Sequence, residues 1–105
     1  GRVPTLIFDE VDTGIGGAVA EVVGKLLREL GGRHQVLCVT HLPQVAACAQ
    51  QHFQVQKNQK NKTTHSEIVL LDEQERINEV ARMLGGVTIT ETTREHAREM
   101  LNIQV

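Results

Sequence analysis

The chain has 105 residues, 40% of them hydrophobic and 23% charged, with a formal net charge of −2, which bounds it to one domain and argues against a dedicated nucleic-acid-binding surface. No apolar run approaches membrane-spanning length, none reads as a signal peptide, and Cys38 and Cys48 stand too far apart for a C-x-x-C motif, so the reading is of a reduced, intracellular chain whose thiols are small buried hydrophobes. Aromatic residues make up 2%, without Trp or Tyr, which removes the stacking platforms of a single-strand nucleic-acid binder.

The chain opens at Gly1 and passes through Arg2-Val3-Pro4 almost directly into an apolar run, and is read as a piece cut from a longer protein. That run, Thr5-Leu6-Ile7-Phe8, ends in Asp9, Glu10 and Asp12. Its continuity predicts a strand buried on both faces, inside a parallel sheet covered by helices. The carboxylates then sit at the carboxyl tip, where open α/β sheets bind ligands and where adjacent acids can meet a metal ion and a reacting water. The competing reading is a solvated turn whose acids cap the next helix. Asp12-Thr13-Gly14-Ile15-Gly16-Gly17 follows, a loop whose glycines permit a tight turn and close approach of backbone to a ligand or partner. It is not a phosphate-cradling P-loop, because G-x-x-x-x-G-K-[ST] occurs nowhere in the chain.

A helix is predicted from about Ala18 to Leu30, with Val19, Val22, Val23, Leu26, Leu27 and Leu30 on one apolar face and Gly31-Gly32 at its end. The chain returns through Gln35 to Thr40 as a second buried strand, making a right-handed parallel crossover. This places His41 at the tip equivalent to that of Asp9 and Glu10. Pro43 opens a helix expected to run to about Gln51. Phe53 and Val55 alternate with Gln54 and Gln56, Lys57 to Lys62 reads as a polar turn, and Glu67 to Leu71 returns as an antiparallel hairpin at the sheet edge. The three lysines can touch phosphates or simply solvate and protect an edge. Asp72 with Glu75 reads as a capping box for a helix bearing Ile77, Val80, Ala81 and Leu84, ended by Gly85-Gly86. Thr92 with Glu95 reads as a second box for a helix with Ala97, Met100 and Leu101 inward and His96 exposed.

With those residues in view, Thr5-Leu6-Ile7-Phe8-Asp9-Glu10 resembles a Walker B strand, Val11-Asp12-Thr13-Gly14-Ile15 resembles a D-loop, and Thr40-His41 resembles the switch histidine of ATP-binding-cassette ATPases. Within that superfamily, the wording of residues 9–17 and of Val39-Thr40-His41-Leu42-Pro43-Gln44-Val45-Ala46 resembles the structural-maintenance-of-chromosomes-like (SMC-like) ATPases of bacterial DNA repair and recombination. The resemblance implies an α/β fold, a partial P-loop NTPase head with parallel strands, an antiparallel edge hairpin and flanking helices. Residues 1–105 would be its C-terminal segment, the part carrying the Walker A and signature loops being absent.

The resemblance further implies ATP and Mg²⁺ as cofactors of the complete protein. Asp9 would help hold the metal, Glu10 would polarise the attacking water, and His41 would contact the γ-phosphate. Asp12 would reach across a dimer, and Gly14 would lie against nucleotide. Implied partners are the remainder of the same head, a second head by homodimerisation, and DNA through the full-length protein, with no membrane. The implied location is the cytoplasm, at the nucleoid, and the piece by itself is expected to be inactive. Alternatives are a non-catalytic interaction or dimerisation module and the nucleotide-binding subunit of a transporter, whose usual sequence after the glutamate differs from Val11-Asp12-Thr13-Gly14. A phospho-receiver domain would require a further strand ending in Lys, which the sequence lacks.

Overall fold

A computed structural model describes residues 4–9, 14–60, 62–85 and 88–103. Strand β1 (Thr5–Asp9) pairs in parallel with β2 (Gln35–Val39), in the register Thr5 to Gln35 through Asp9 to Val39. Helix α1 (Gly17–Leu30) connects them. After β2 come the short helix α2 (Pro43–Ala46) and the hairpin β3 (Phe53–Lys60) with β4 (Thr63–Leu70). Helices α3 (Glu73–Gly85) and α4 (Glu91–Ile103) complete the chain. Helix α1 packs on α2, α2 on α3, and α3 on α4.

The expectation of strands buried on both faces is corrected by their alternation. Leu6, Phe8, Val36 and Cys38 are half-buried, whereas Ile7 is 71% exposed and its register partner Leu37, with Val39, is also exposed. Only one face of the pair is covered among the described residues. The apolar face predicted for α1 divides in the same way. Ala20 and Gly24 are buried, with Val23, Leu27 and Leu30 half-buried, but Val19, Val22 and Leu26 form a separate exposed stripe.

The hairpin also departs from expectation. Among the described residues it forms its own two-stranded sheet rather than an edge of the first. Lys57 to Lys60, read as turn, are strand, paired from Lys57 with Ser66 to Lys60 with Thr63. Backbone pairing needs no apolar side chain, so a run of Lys, Asn and Gln continues the ladder that Phe53 and Val55 begin.

The capping box of α3 is present as predicted. The Glu75 N–H donates to Asp72 Oδ1 at 2.8 Å and the Asp72 N–H donates to Glu75 Oε1 at 3.0 Å. For α4 the box lies two residues earlier than predicted. The Thr93 N–H donates to Thr90 Oγ1 at 3.2 Å and the Thr90 N–H donates to Thr93 Oγ1 at 2.9 Å, so a second threonine does the work expected of Glu95. Ile77, Val80, Ala81 and Ala97 form the core between α3 and α4, flanked by Leu84, Ile89, Met100 and Leu101. Gly86 lies outside the described residues.

Helix α1 reaches α2 through glycine. A Cβ built on Gly24 would stand 2.7 Å from Cys48 Sγ and 3.0 Å from the Gln44 carbonyl oxygen, closer than real side chains tolerate. Gly24→Ala therefore gains about 1 kcal/mol of helix propensity but meets an overpacking cost of about 1–3 kcal/mol, for a net loss of stability. Adding Cys48→Ala removes the sulfur, so the double variant should be more stable than the sum of the two single effects. Chemical denaturation of the four proteins checks this, and strict additivity would show that the contact is not the source of the loss.

His52 is half-buried, its Nδ1 has no hydrogen-bond partner, and its backbone carbonyl accepts from the Leu71 N–H at 2.9 Å. Burial first, and then the Arg76 cation, hold its pKa below 6.5 against the opposing pull of Glu79. A lowered histidine pKa means that the unfolded chain takes up the proton more readily. The contribution of His52 is therefore complete above about pH 6.5 and is lost as the pH falls below it. Melting temperature should drop between about pH 7 and about pH 5, and His52→Gln should flatten that part of the drop.

Candidate functional site

Parallel pairing brings the carboxyl ends of β1 and β2 to one edge. Asp9 closes β1 opposite Val39, both exposed, and the exposed His41 follows two residues beyond Val39. Neighbouring strands lie about 4.8 Å apart, so a carboxylate tip and an imidazole tip share this edge as their positions in the sequence predicted. Glu10 and Asp12 lie outside the described residues. Gly14 has φ of +80°, a left-handed conformation that strains any residue with a side chain. No atom would meet a Cβ there within 4 Å. The loop thus turns through an open glycine before Gly16 precedes α1.

The turn carrying His41 is fixed from both sides. The Leu42 N–H donates to Thr40 Oγ1 at 3.0 Å, and Pro43 takes the first helical position, where the missing proline N–H would have no helical partner anyway. The helix predicted to reach Gln51 stops at Ala46. Beyond it the N–H groups of Cys48 and Ala49 take the tighter bonds to Val45 O and Ala46 O. Two arginines from elsewhere in the chain then hold the carbonyls of this segment. Arg28 Nη1 donates to Cys48 O at 2.7 Å. Arg76 donates to Ala46 O at 3.1 Å, to Gln50 O at 3.4 Å and to Ala49 O. Side-chain donors thus replace the backbone bonds that a longer helix would have made. Burial, and secondarily Arg28, press the Arg76 pKa downward, yet a guanidinium keeps its charge. Cys48, in this turn rather than in a helix, is buried, its thiol pKa raised by burial, and its Sγ donates to Gln44 O at 3.3 Å.

Arg28, Arg76 and the buried Glu79 escaped sequence reasoning. Their partners lie far along the chain: Gln54 Nε2 donates to Glu79 Oε2 across 25 residues at 2.6 Å, tying β3 to α3, while Arg82 Nε donates to Glu79 Oε1 at 3.0 Å from one turn away. The polar face of α3 was the only signal for Arg76 and Glu79. His96 is exposed, as predicted, and lines a cleft of about 280 Å³ with Glu21, Gln44 and Met100.

Among the described residues no group of three or more His, Cys, Asp or Glu is placed to hold a metal, and no helix is long and apolar enough to cross a membrane. A magnesium ion needs less from protein, usually one or two carboxylates with waters and substrate phosphates completing the shell. The exposed Asp9 is a donor of that kind.

Arg76→Met should cost about 1–3 kcal/mol, because the carbonyls of Ala46, Ala49 and Gln50 lose charged donors. Arg76→Lys should recover only part, since one ammonium cannot reproduce a planar fork. Thermal unfolding of both variants checks the ranking.

No family model matches the chain. It is similar to the DNA repair protein RecN of Xylella fastidiosa (strain 9a5c), 59% identical over 99 residues, which are 94% of this chain and 18% of the relative. RecN of Vibrio cholerae serotype O1 is 56% identical over 98 residues, covering 93% of this chain and 18% of that protein. RecN of Bacillus subtilis (strain 168) is 43% identical over 99 residues, covering 94% and 17%. The chain therefore spans less than a fifth of the length of these relatives. Among solved structures it is similar to one from work on the structural biochemistry of ATP-driven dimerization and DNA-stimulated activation of SMC ATPases. The TM-score is 0.64 at 18% identity, over 83% of this chain and 52% of that one. Over the part it covers, the fold is α/β and P-loop NTPase-like.

Proposed function

Since the chain belongs to the RecN family of DNA repair proteins, we propose that it is the C-terminal segment of an ATP-hydrolysing head and supplies one edge of an ATP site completed by the rest of the full-length protein. The observation that carries this reading is the shared edge of Asp9 and His41. In the order Asp9, Glu10, Asp12, Gly14, His41 the chain offers a metal-binding carboxylate, a water-orienting carboxylate, a group for the opposite head, a left-handed glycine against nucleotide, and a γ-phosphate contact. Phosphoryl transfer asks mainly for positioning and charge neutralisation. Asp9 supplies negative charge for Mg²⁺, and Glu10 holds or accepts a proton from the attacking water. His41, on a turn held by the Leu42 N–H bond to Thr40, would donate to a phosphate oxygen.

The exposed apolar face of Ile7, Leu37 and Val39 supports a covering partner, and the remainder of the same head is the partner we assign to it. Dimerisation of two heads on ATP and action on DNA in the cytoplasm, at the nucleoid, complete the proposal. They draw on the subject of the SMC ATPase work and the names of the relatives. The exposed face equally favours a second reading, in which this segment contributes only an interaction surface and the chemistry lies elsewhere.

The test uses the full-length protein. Glu10→Gln keeps shape and hydrogen bonding but removes the charge, so nucleotide should still bind while turnover falls roughly 10²- to 10⁴-fold. Asp9→Asn should instead weaken the Mg-ATP complex itself. Steady-state hydrolysis alongside nucleotide titration separates the two roles. Near wild-type turnover in both variants would leave the interaction reading standing.

A further inference from the structure

The chain is acidic overall, but its carboxylates are segregated. None occurs between Glu29 and Glu67, a span holding Arg33, Lys57, Lys60 and Lys62. The last three fall in the β3–β4 hairpin, whose outer half is unlike its base. At the base, Leu71 bonds back to His52, and Gln54 bonds to Glu79 of α3. Phe53, Val55, Ile68 and Leu70 share one face there by register. Beyond Val55 and Ile68 the apolar residues cease. Lys57, Asn58, Gln59, Lys62, Thr63, Thr64, His65 and Ser66 are all exposed.

Lys57 and Lys62 enter no ion pair among the described residues, and Glu67, opposite Gln56, marks where negative charge resumes. The final pair is Lys60 with Thr63, and Lys62, lying between them in the chain, has φ 63°. That is a left-handed position which glycine or asparagine fills at less cost. A long cationic side chain therefore stands at the extreme tip despite the backbone preference.

We propose that this outer half of the hairpin is a finger that grips the phosphate backbone of duplex DNA. Lysines supply the charge that displaces condensed counterions, and Asn, Gln, Thr and Ser supply neutral hydrogen bonds to phosphate oxygens without reading sequence. The outer half holds no aromatic residue, so it lacks the platform that single-stranded bases stack on, and duplex is the form it fits. A two-stranded ribbon is also narrow enough to lie along a groove about 12 Å wide. The inference rests on the DNA-repair reading for the identity of the polyanion, and on the hairpin alone for the site.

The experiment compares full-length protein with its Lys57→Gln/Lys60→Gln/Lys62→Gln variant and with the corresponding triple Arg variant. Binding to a fluorescein-labelled duplex of arbitrary sequence is followed by anisotropy from about 50 to about 200 mM salt. Each lysine–phosphate pairing removed should lower the slope of log affinity against log salt by about 0.9, so the Gln variant should lose up to about 3 and the Arg variant little. ATP turnover without DNA should be unchanged in both, which reports an intact fold. An unaltered slope in the Gln variant, with or without new self-association, would overturn the finger and leave the lysines as guards of a strand edge. Wild-type protein that fails to bind the duplex at all would overturn the DNA reading as well.

Discussion

Gly24 holds α1 against Gln44 and Cys48 with no room for a methyl group, and the arrangement of the candidate site depends on that closeness. Helix α1 begins just after the loop that follows Asp9, and α2 begins just after His41. Packed interiors deform little. With the two helices in contact at glycine, and the strands fixed by their parallel register, the approach to the carboxylate tip and the approach to the imidazole tip belong to one body. Arg28 reaches from α1 to the turn after α2, and Arg76 reaches the same turn from α3. Two helices thereby converge on a segment that has only four residues of helix of its own.

Features encoded within a few residues were the most legible. Asp72 and Glu75 announced α3 because both ends of the reciprocal bond lie within one turn. The order of Asp9, Gly14 and His41 announced the edge, since parallel strands must deliver equivalent ends together. Features that depend on distant partners were not legible. The length of α2 is set by arginines some 20 to 30 positions away, and no local pattern in Pro43 to Gln51 records them. The α4 box was misplaced by two residues because Thr93 substitutes for a glutamate, a pairing that weakens the sequence signature without weakening the bonds.

The strands teach a related lesson. Leu6 to Phe8 and Val36 to Val39 are apolar on both faces, yet the described residues cover one. A continuous apolar strand records what the complete protein buries, and here the chain spans less than a fifth of its relatives. Net charge misled in the opposite direction. A value of −2 averages over acidic helices and a hairpin whose outer half is wholly cationic or neutral. Composition argues against a basic module while remaining silent on a basic element.

The paired caps of α3 and α4 bear on how the chain assembles. Their shared core of Ile77, Val80, Ala81 and Ala97 joins residues at most 20 positions apart, whereas β1 and β2 meet only after a loop of about 30 positions has closed around α1. Short-range contacts form before long-range ones because less chain entropy is lost in closing them. By this measure α3 with α4 closes a shorter loop than β1 with β2, and the edge bearing Asp9 and His41 waits on the longer closure. Synthesis runs from the amino end, so β1 and β2 leave the ribosome before α3 and α4, and the pair that closes the shorter loop is the one delivered last.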